Sequence, residues 1–408
     1  MSRSASPILA DWTWLVYMAG DNNLEGAGHD DLVEMKQVGS TDQIHVVVQF
    51  DTQRSGTTRY RVERGRLRVL EKLPGVNCGD PRTLTGFLQW GRQQYPARHY
   101  LVDVWNHGGG WENLPPDYDY EGIRAIRPRQ ASALRRFRRS LFRTTIQKIH
   151  RRPRDARAIA IDCGSQDYLD NQELRLAIAG ALPPGTRIDV LGCDACLMNM
   201  IEIAYEMKDT ARFMVGSEET EPGTGWPYTE ILQQLTTHPE QTPEDLAKTI
   251  VTEYGQWYRK QGPSSEATQS ALDLDRMPPL ADAVNALADA LLANLKTVTG
   301  PILLARDRAQ KFAMPEYVDL GDLARQLLQR LTRQATLKTA AEQILKTLPV
   351  KTGAGVVIAN AVNGAGVRNA TGLSIYFPEK SNYAPDYAGL RFSQDTHWRK
   401  FLEALFKL

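Results

Sequence analysis

The chain lacks what would place it in a special structural class. Four cysteines in 408 residues are too few for a disulfide scaffold. No internal repeat and no Gly/Ser-rich linker breaks the sequence, which argues against a solenoid or a string of tethered modules. Long hydrophobic runs are also missing. The opening MSRSASPILADW has too short an apolar stretch for a signal peptide, and no later segment is expected to span a membrane. These absences lead to the expectation of a soluble, cytoplasmic protein with no membrane partner, unless the chain has been trimmed. Net charge is nearly absent too, at +1, but that balance conceals an asymmetry. Residues 124–157 carry twelve arginines, one lysine and a single acid, leaving the remainder net acidic.

What is present is a 42% hydrophobic chain able to bury a large core. Residues 13–20 (TWLVYMAG) and 44–51 (IHVVVQFD) are near-continuous apolar runs, suited to parallel strands covered on both faces. A helix is expected over 30–38, and residues 57–73 alternate around Arg64-Gly65 as a hairpin. Asp80 followed by Pro81 opens a helix running to Tyr95. Residues 156–162 resume the sheet. Asp170 and Glu173 then have the spacing of a capping box. Strands alternating with helices predict an α/β layered fold. The late strands, in 269–275, VVIAN and 372–378, are expected to join the same sheet.

Two stretches share a design that bears chemistry. In residues 99–111 (HYLVDVWNHGGGW) a strand ends at Trp105 and delivers His107, followed by three glycines. In residues 187–207 (RIDVLGCDACLMNMIEIAYEM) a strand ends in a turn at Gly192, and Cys196 falls beside the first helical residues. Unpaired N–H groups at a helix start would favour a thiolate there. Groups at the carboxyl ends of strands in an open α/β sheet converge on one crevice, so the two can form a base and nucleophile pair. The glycines 108–110 let backbone approach a substrate and offer N–H groups to an oxyanion. A competing reading takes Cys193 and Cys196 as a C-x-x-C redox pair or half a zinc site, with Cys163 and His107 completing the ligands. The Arg-rich stretch suits a solvated, partly helical insertion better than a nucleic-acid patch. Its Leu134, Phe137, Leu141, Phe142, Ile146 and Ile149 mark an amphipathic helix.

NHGGGW at 106–111 and DACLM at 194–198 resemble the two catalytic motifs of the clostripain-like cysteine peptidases, family C11, clan CD. Further segments are similar in the same order: WLVYMAGDNNLE, SEETEPGTGWPY, SALDL, DLGDLA and GLSIYFP. The resemblance implies a caspase-like α/β fold: a mixed, mostly parallel central sheet flanked by helices on both faces, with C-terminal helical additions. One peptidase unit would cover 11–378, with the insertion 124–157 inside it and 379–408 as a C-terminal tail and helix. It implies a cysteine endopeptidase in which Cys196 attacks the scissile carbonyl and His107 serves as acid and base. Backbone N–H groups of Gly108 and Cys196 would form the oxyanion hole. The family cleaves after arginine or lysine, which implies Asp194 in the specificity (S1) pocket. A second carboxylate is expected from the loop acids Glu218, Glu219 or Glu221. Partners are then peptides or proteins with Arg or Lys at the cleavage site.

An arginine-rich insertion in such an enzyme is also a candidate for self-cleavage, near Arg135-Arg136, Arg138-Arg139 or Arg151-Arg152. The dyad chemistry needs no cofactor. Some relatives depend on calcium, for which Asp21, Glu25, Asp117, Asp119 and Glu121 are the scattered candidates. Alternatives to the peptidase are a zinc or thiol-redox protein using Cys193 and Cys196, and an inactive peptidase-like binding protein. Oligomeric state is left open.

Overall fold

The computed structural model describes residues 9–111, 119–124, 159–262, 265–331, 334–348 and 354–408. Most of the insertion, with all six arginines proposed for self-cleavage, and Asp117 lie outside them.

Thirteen strands are described: β1 (Ala10–Gly20), β2 (Ile44–Thr52), β3 (Gly56–Glu63), β4 (Arg66–Leu73), β5 (Ala97–Trp105), β6 (Ile159–Asp162), β7 (Asp167–Leu169), β8 (Ile188–Asp194), β9 (Ala211–Gly216), β10 (Ala267–Asp273), β11 (Tyr317–Asp319), β12 (Val357–Asn363) and β13 (Ser374–Tyr376). Nine of them form one sheet in the order β12-β10-β9-β8-β5-β1-β2-β3-β4. The centre, β2-β1-β5-β8-β9, is parallel, and both flanks turn antiparallel. This is the mixed, helix-flanked sheet of a caspase-like α/β fold.

The apolar runs account for the layering. Side chains alternate across a strand, so β1 divides its residues between two cores. Leu15, Tyr17 and Ala19 pack with the helices Pro81–Gln94, Asn171–Gly180, Ile201–Met207 and Met277–Arg308. Trp14, Val16 and Met18 pack on the other face, with Glu25–Val38, Tyr228–Thr237 and Pro243–Lys260. Local signals fix the helix starts. The Asp80 carboxylate accepts the Arg82 N–H at 2.8 Å, and Asp170 with Glu173 forms a complete capping box.

Tertiary pairing corrects several expectations. The strand Ile159–Asp162 does not rejoin the main sheet; it pairs with β7 in a two-stranded sheet and touches Gly108 through an isolated bridge. The strand Ser374–Tyr376 pairs with β11 rather than with the central sheet. A run expected to be too short for a membrane is not: Leu274–Arg308 is the one described helix long and apolar enough to cross one. Its Leu280, Val284, Leu287 and Leu291 are nevertheless buried in the core at helical spacing. The stretch 379–408 also packs back onto the molecule. Trp398 and Phe401 are fully buried, and the Trp398 indole donates to the Tyr376 carbonyl at 2.8 Å.

Candidate active site

Strands β5 and β8 are adjacent and parallel, with Trp105 opposite Asp194. His107 and Cys196 each lie two residues beyond that pair, so the register alone brings them to the same level of the sheet. The backbone at Gly108 meets that of Cys196 directly. A Cβ built on Gly108 would lie 2.1 Å from the Cys196 carbonyl oxygen and 2.9 Å from its nitrogen, so only glycine fits. The Tyr317 hydroxyl fixes the next residue, donating to the Gly109 carbonyl at 2.8 Å.

Cys196 does not sit at a helix N-terminus. The helix begins at Ile201, and Gly192 continues β8, with the Trp226 ring packed over it, instead of making the turn. The nucleophile candidate occupies a tight bend in which Leu197 adopts φ 63°, a left-handed conformation that costs a non-glycine residue about 1 kcal/mol or more. Neighbouring backbone compensates: the Leu197 N–H donates to the Glu219 carbonyl at 3.2 Å and the Asn199 N–H to the Ser217 carbonyl at 3.0 Å. The donor facing sulfur is the Glu221 N–H, 3.2 Å from Sγ.

His107 is oriented from β1's trailing turn. Its Nε2 lies 2.8 Å from the Asn23 Oδ1, an acceptor, so that nitrogen carries the proton and Nδ1 is the basic one. Asn22 holds this turn, donating to the carbonyls of Ala19 and Ile161 at 2.9 and 2.8 Å. Asn106 bonds the same two carbonyls from β5. His107 and Cys196 are both fully buried. Burial depresses the His107 pKa to about 3 and pushes the Cys196 thiol upward, with the Glu221 carboxylate adding to the latter. Burial thus favours the neutral form of each.

Beside Cys196 lies a buried carboxyl cluster. The Tyr228 hydroxyl sits between Asp194 Oδ2 at 2.8 Å and Asp103 Oδ2 at 3.0 Å, and the Trp226 N–H reaches Asp194 at 3.3 Å. Glu221 faces Asp194 and the Trp226 side chain. Asp31 joins from helix Glu25–Val38, accepting from the Trp105 indole at 2.8 Å. Burial raises the pKa of all four acids, and their mutual repulsion adds to the rise in Asp31, Asp103 and Glu221.

Glu218 and Glu219, the leading candidates for a second pocket acid, are turned elsewhere. Glu218 accepts the Gly372 N–H at 2.8 Å and faces Asp319, while Glu219 accepts from Thr220 and Ala313 at 2.7 and 3.2 Å. They tie the loop down, which leaves Glu221 as the acid directed at Asp194. Asn23, Asp103 and Tyr228 escaped sequence reasoning. The first lies in the DNNL turn, and the others looked like ordinary strand and helix positions.

Cys193 points into the core and Cys163 is buried elsewhere on β6's trailing turn. Among the described residues, His107, Cys163, Cys193 and Cys196 do not converge as metal ligands. Neither do Asp21, Glu25, Asp119 and Glu121. The one described group whose ligand atoms lie within 4.8 Å of one another is Asp51, Cys78 and Asp162.

Comparisons with known proteins bear on the family and the fold. The sequence is 25% identical over 256 residues to clostripain of Hathewaya histolytica, a match covering 55% of this chain and 42% of that protein. The fold resembles an inactive zymogen of a C11 protease from Parabacteroides distasonis (TM-score 0.67, 21% identity, 96% and 99% of the two chains). It also resembles iotapain, a secreted C11 cysteine protease from Bacteroides thetaiotaomicron (TM-score 0.68, 16% identity, 96% and 100% of the two chains). The expected cytoplasmic location is corrected here, because the structural relatives include secreted enzymes. The Clostripain family, peptidase C11, matches residues 16–123 and 148–404, and the chain belongs to that family.

Proposed function

We propose that the protein is a cysteine endopeptidase that hydrolyses peptide bonds after arginine, and after lysine less efficiently. The observation that carries this reading is the pairing of Cys196 with a buried acidic cluster: one residue, Glu221, places its N–H on Sγ and its carboxyl beside Asp194. Carboxylates fixed in a water-excluding pocket suit a planar guanidinium better than an ammonium, since the guanidinium can engage two oxygens at once.

In the reaction, Cys196 passes its proton to His107 Nδ1 and its sulfur bonds to the scissile carbonyl carbon. The backbone N–H groups of Gly108 and Cys196 support the resulting oxyanion. His107 then protonates the departing amine as the C–N bond breaks. A water molecule, deprotonated by the same imidazole, cleaves the thioester to release the acid and restore the thiol. Asn23 keeps Nε2 protonated throughout, and no step calls for a cofactor.

The insertion 124–157 fits the same reading as a self-cleavage segment, because it is a cationic stretch in an otherwise net acidic chain that carries an acidic pocket. Fluorogenic peptides ending in Arg, Lys, Asp or Leu test the specificity, and rates highest on Asp or Leu would overturn it. On a denaturing gel, wild type should resolve into two fragments while Cys196→Ala stays as one band. An intact, fully active wild type would remove self-cleavage and leave the insertion a docking surface.

A further inference from the structure

The pocket beside Cys196 contains a proton-counting problem. The Tyr228 hydroxyl has one hydrogen, yet it lies at hydrogen-bond distance from two carboxyl oxygens, 2.8 Å from Asp194 and 3.0 Å from Asp103. It can donate to only one of them. The other contact is attractive only if that carboxyl itself carries a proton and donates to the tyrosine oxygen. Two ionised carboxylates would leave a lone pair facing a lone pair in a buried, low-dielectric site.

Most of the described ionisable groups around the pair are acidic or phenolic. Asp103 is fully buried and Asp194 is 5% exposed. Asp31 and Glu34 approach from helix Glu25–Val38, with Glu230 behind Glu34, and Glu221 closes the loop side. Tyr254 and Tyr258 face the cluster from helix Pro243–Lys260, and Cys193 lies beneath Asp103. Among the described residues, the main charges acting on Asp103, Asp194 and Glu221 include no lysine, arginine or histidine. Burial and the Asp194 charge together push the Asp103 carboxyl to about 8.

We propose that this buried carboxyl cluster stores a carboxylic acid proton on the Asp103–Tyr228–Asp194 chain and releases it to solvent when a guanidinium enters. The inference rests on reading this pocket as the arginine site. The exchange balances: a neutral carboxyl and a free cation become a carboxylate–guanidinium pair and one solvated proton. Tyr228 then donates its hydrogen to Asp103, while the guanidinium donates to Asp194 and takes over the role of the proton that was lost. A basic side chain replaces the proton charge for charge. A neutral side chain leaves the acid protonated and gains no ion pair, so the stored proton sharpens selection against uncharged residues.

The test is isothermal titration of ethylguanidinium into the full chain near neutral pH, in phosphate, imidazole and Tris buffers. Buffer-dependent heats report the protons exchanged, and about one proton released per ligand is expected. Affinity should rise by up to about tenfold per pH unit on the acid side of the transition and then level off. Asp103→Asn, which holds an uncharged partner on Tyr228 permanently, should bind ethylguanidinium with release cut to less than half. Binding with no proton release in wild type overturns the proposal and leaves the arginine reading standing. No binding at millimolar ethylguanidinium overturns both.

Discussion

Replacing Gly108 by alanine should disable the site without unfolding the protein. The added Cβ would meet the Cys196 carbonyl oxygen at 2.1 Å, the Cys196 nitrogen at 2.9 Å and the Ala195 Cβ at 3.1 Å. The two nearest atoms are backbone, on a strand end and a bend already strained at Leu197, so no side chain can rotate away. Reaching an ordinary van der Waals contact requires the strands to part by about 1 Å at the level of the dyad, and overpacking of this kind costs about 1–3 kcal/mol. A displacement near 1 Å at the reacting atoms costs on the order of 100-fold in rate. The expected result is a kcat/KM on an Arg-terminated fluorogenic peptide lowered about 100-fold, with Tm lowered by only a few degrees. Gly26→Ala is the control. Nothing lies within 4 Å of its Cβ on the helix Glu25–Val38, so that variant should keep full activity and gain roughly 0.5–1 kcal/mol. An alanine at 108 with activity within twofold of wild type would refute the contact argument and, with it, the placement of the Gly108 and Cys196 backbones around one reacting carbonyl.

Three other outcomes follow from the geometry. Cys196→Ala and His107→Ala should each abolish cleavage with folding intact by circular dichroism, while Cys193→Ala should keep most activity; equal damage from both cysteines would revive the C-x-x-C reading. Asp194→Asn combined with Glu221→Gln should lower kcat/KM on Arg substrates by roughly 3–5 kcal/mol, the cost of a buried cation without its partner, and Leu substrates should be nearly unaffected. The last concerns pH. Asp51 and Glu34 are raised to about 7 by burial, and Asp319 to about 6. An acid with a raised folded pKa binds its proton more tightly in the native state. Its contribution to stability is complete below the unfolded value near 4 and is lost as pH climbs through the folded one. Thermal melts should therefore show these groups lowering Tm between about pH 4 and 7.5; a Tm rising across that window would mean these groups are ionised and paired.

Much of this was written locally in the chain. The apolar runs 13–20 and 44–51 could be little else than strands covered on both faces. The caps at Asp80 and Asp170 set helix starts through bonds between near neighbours, and NHGGGW and DACLM marked the candidate His107 and Cys196 by residue type. Strand partnership was not local. Whether Ile159–Asp162 and Ser374–Tyr376 joined the main sheet depended on which edges were already occupied by strands distant in sequence, and both paired elsewhere. The direction of the loop acids was equally nonlocal. Glu218, Glu219 and Glu221 are nearly adjacent, yet Gly372 and Ala313 claim the first two while the third turns to Asp194. Nor could the sequence show that a hydroxyl on the helix Tyr228–Thr237 would come to rest between carboxyls from β5 and β8. The sequence determined which groups could do chemistry, because that depends on residue type. Only the tertiary structure decided which of them meet, because contact between segments far apart in the chain is set by how the whole core closes.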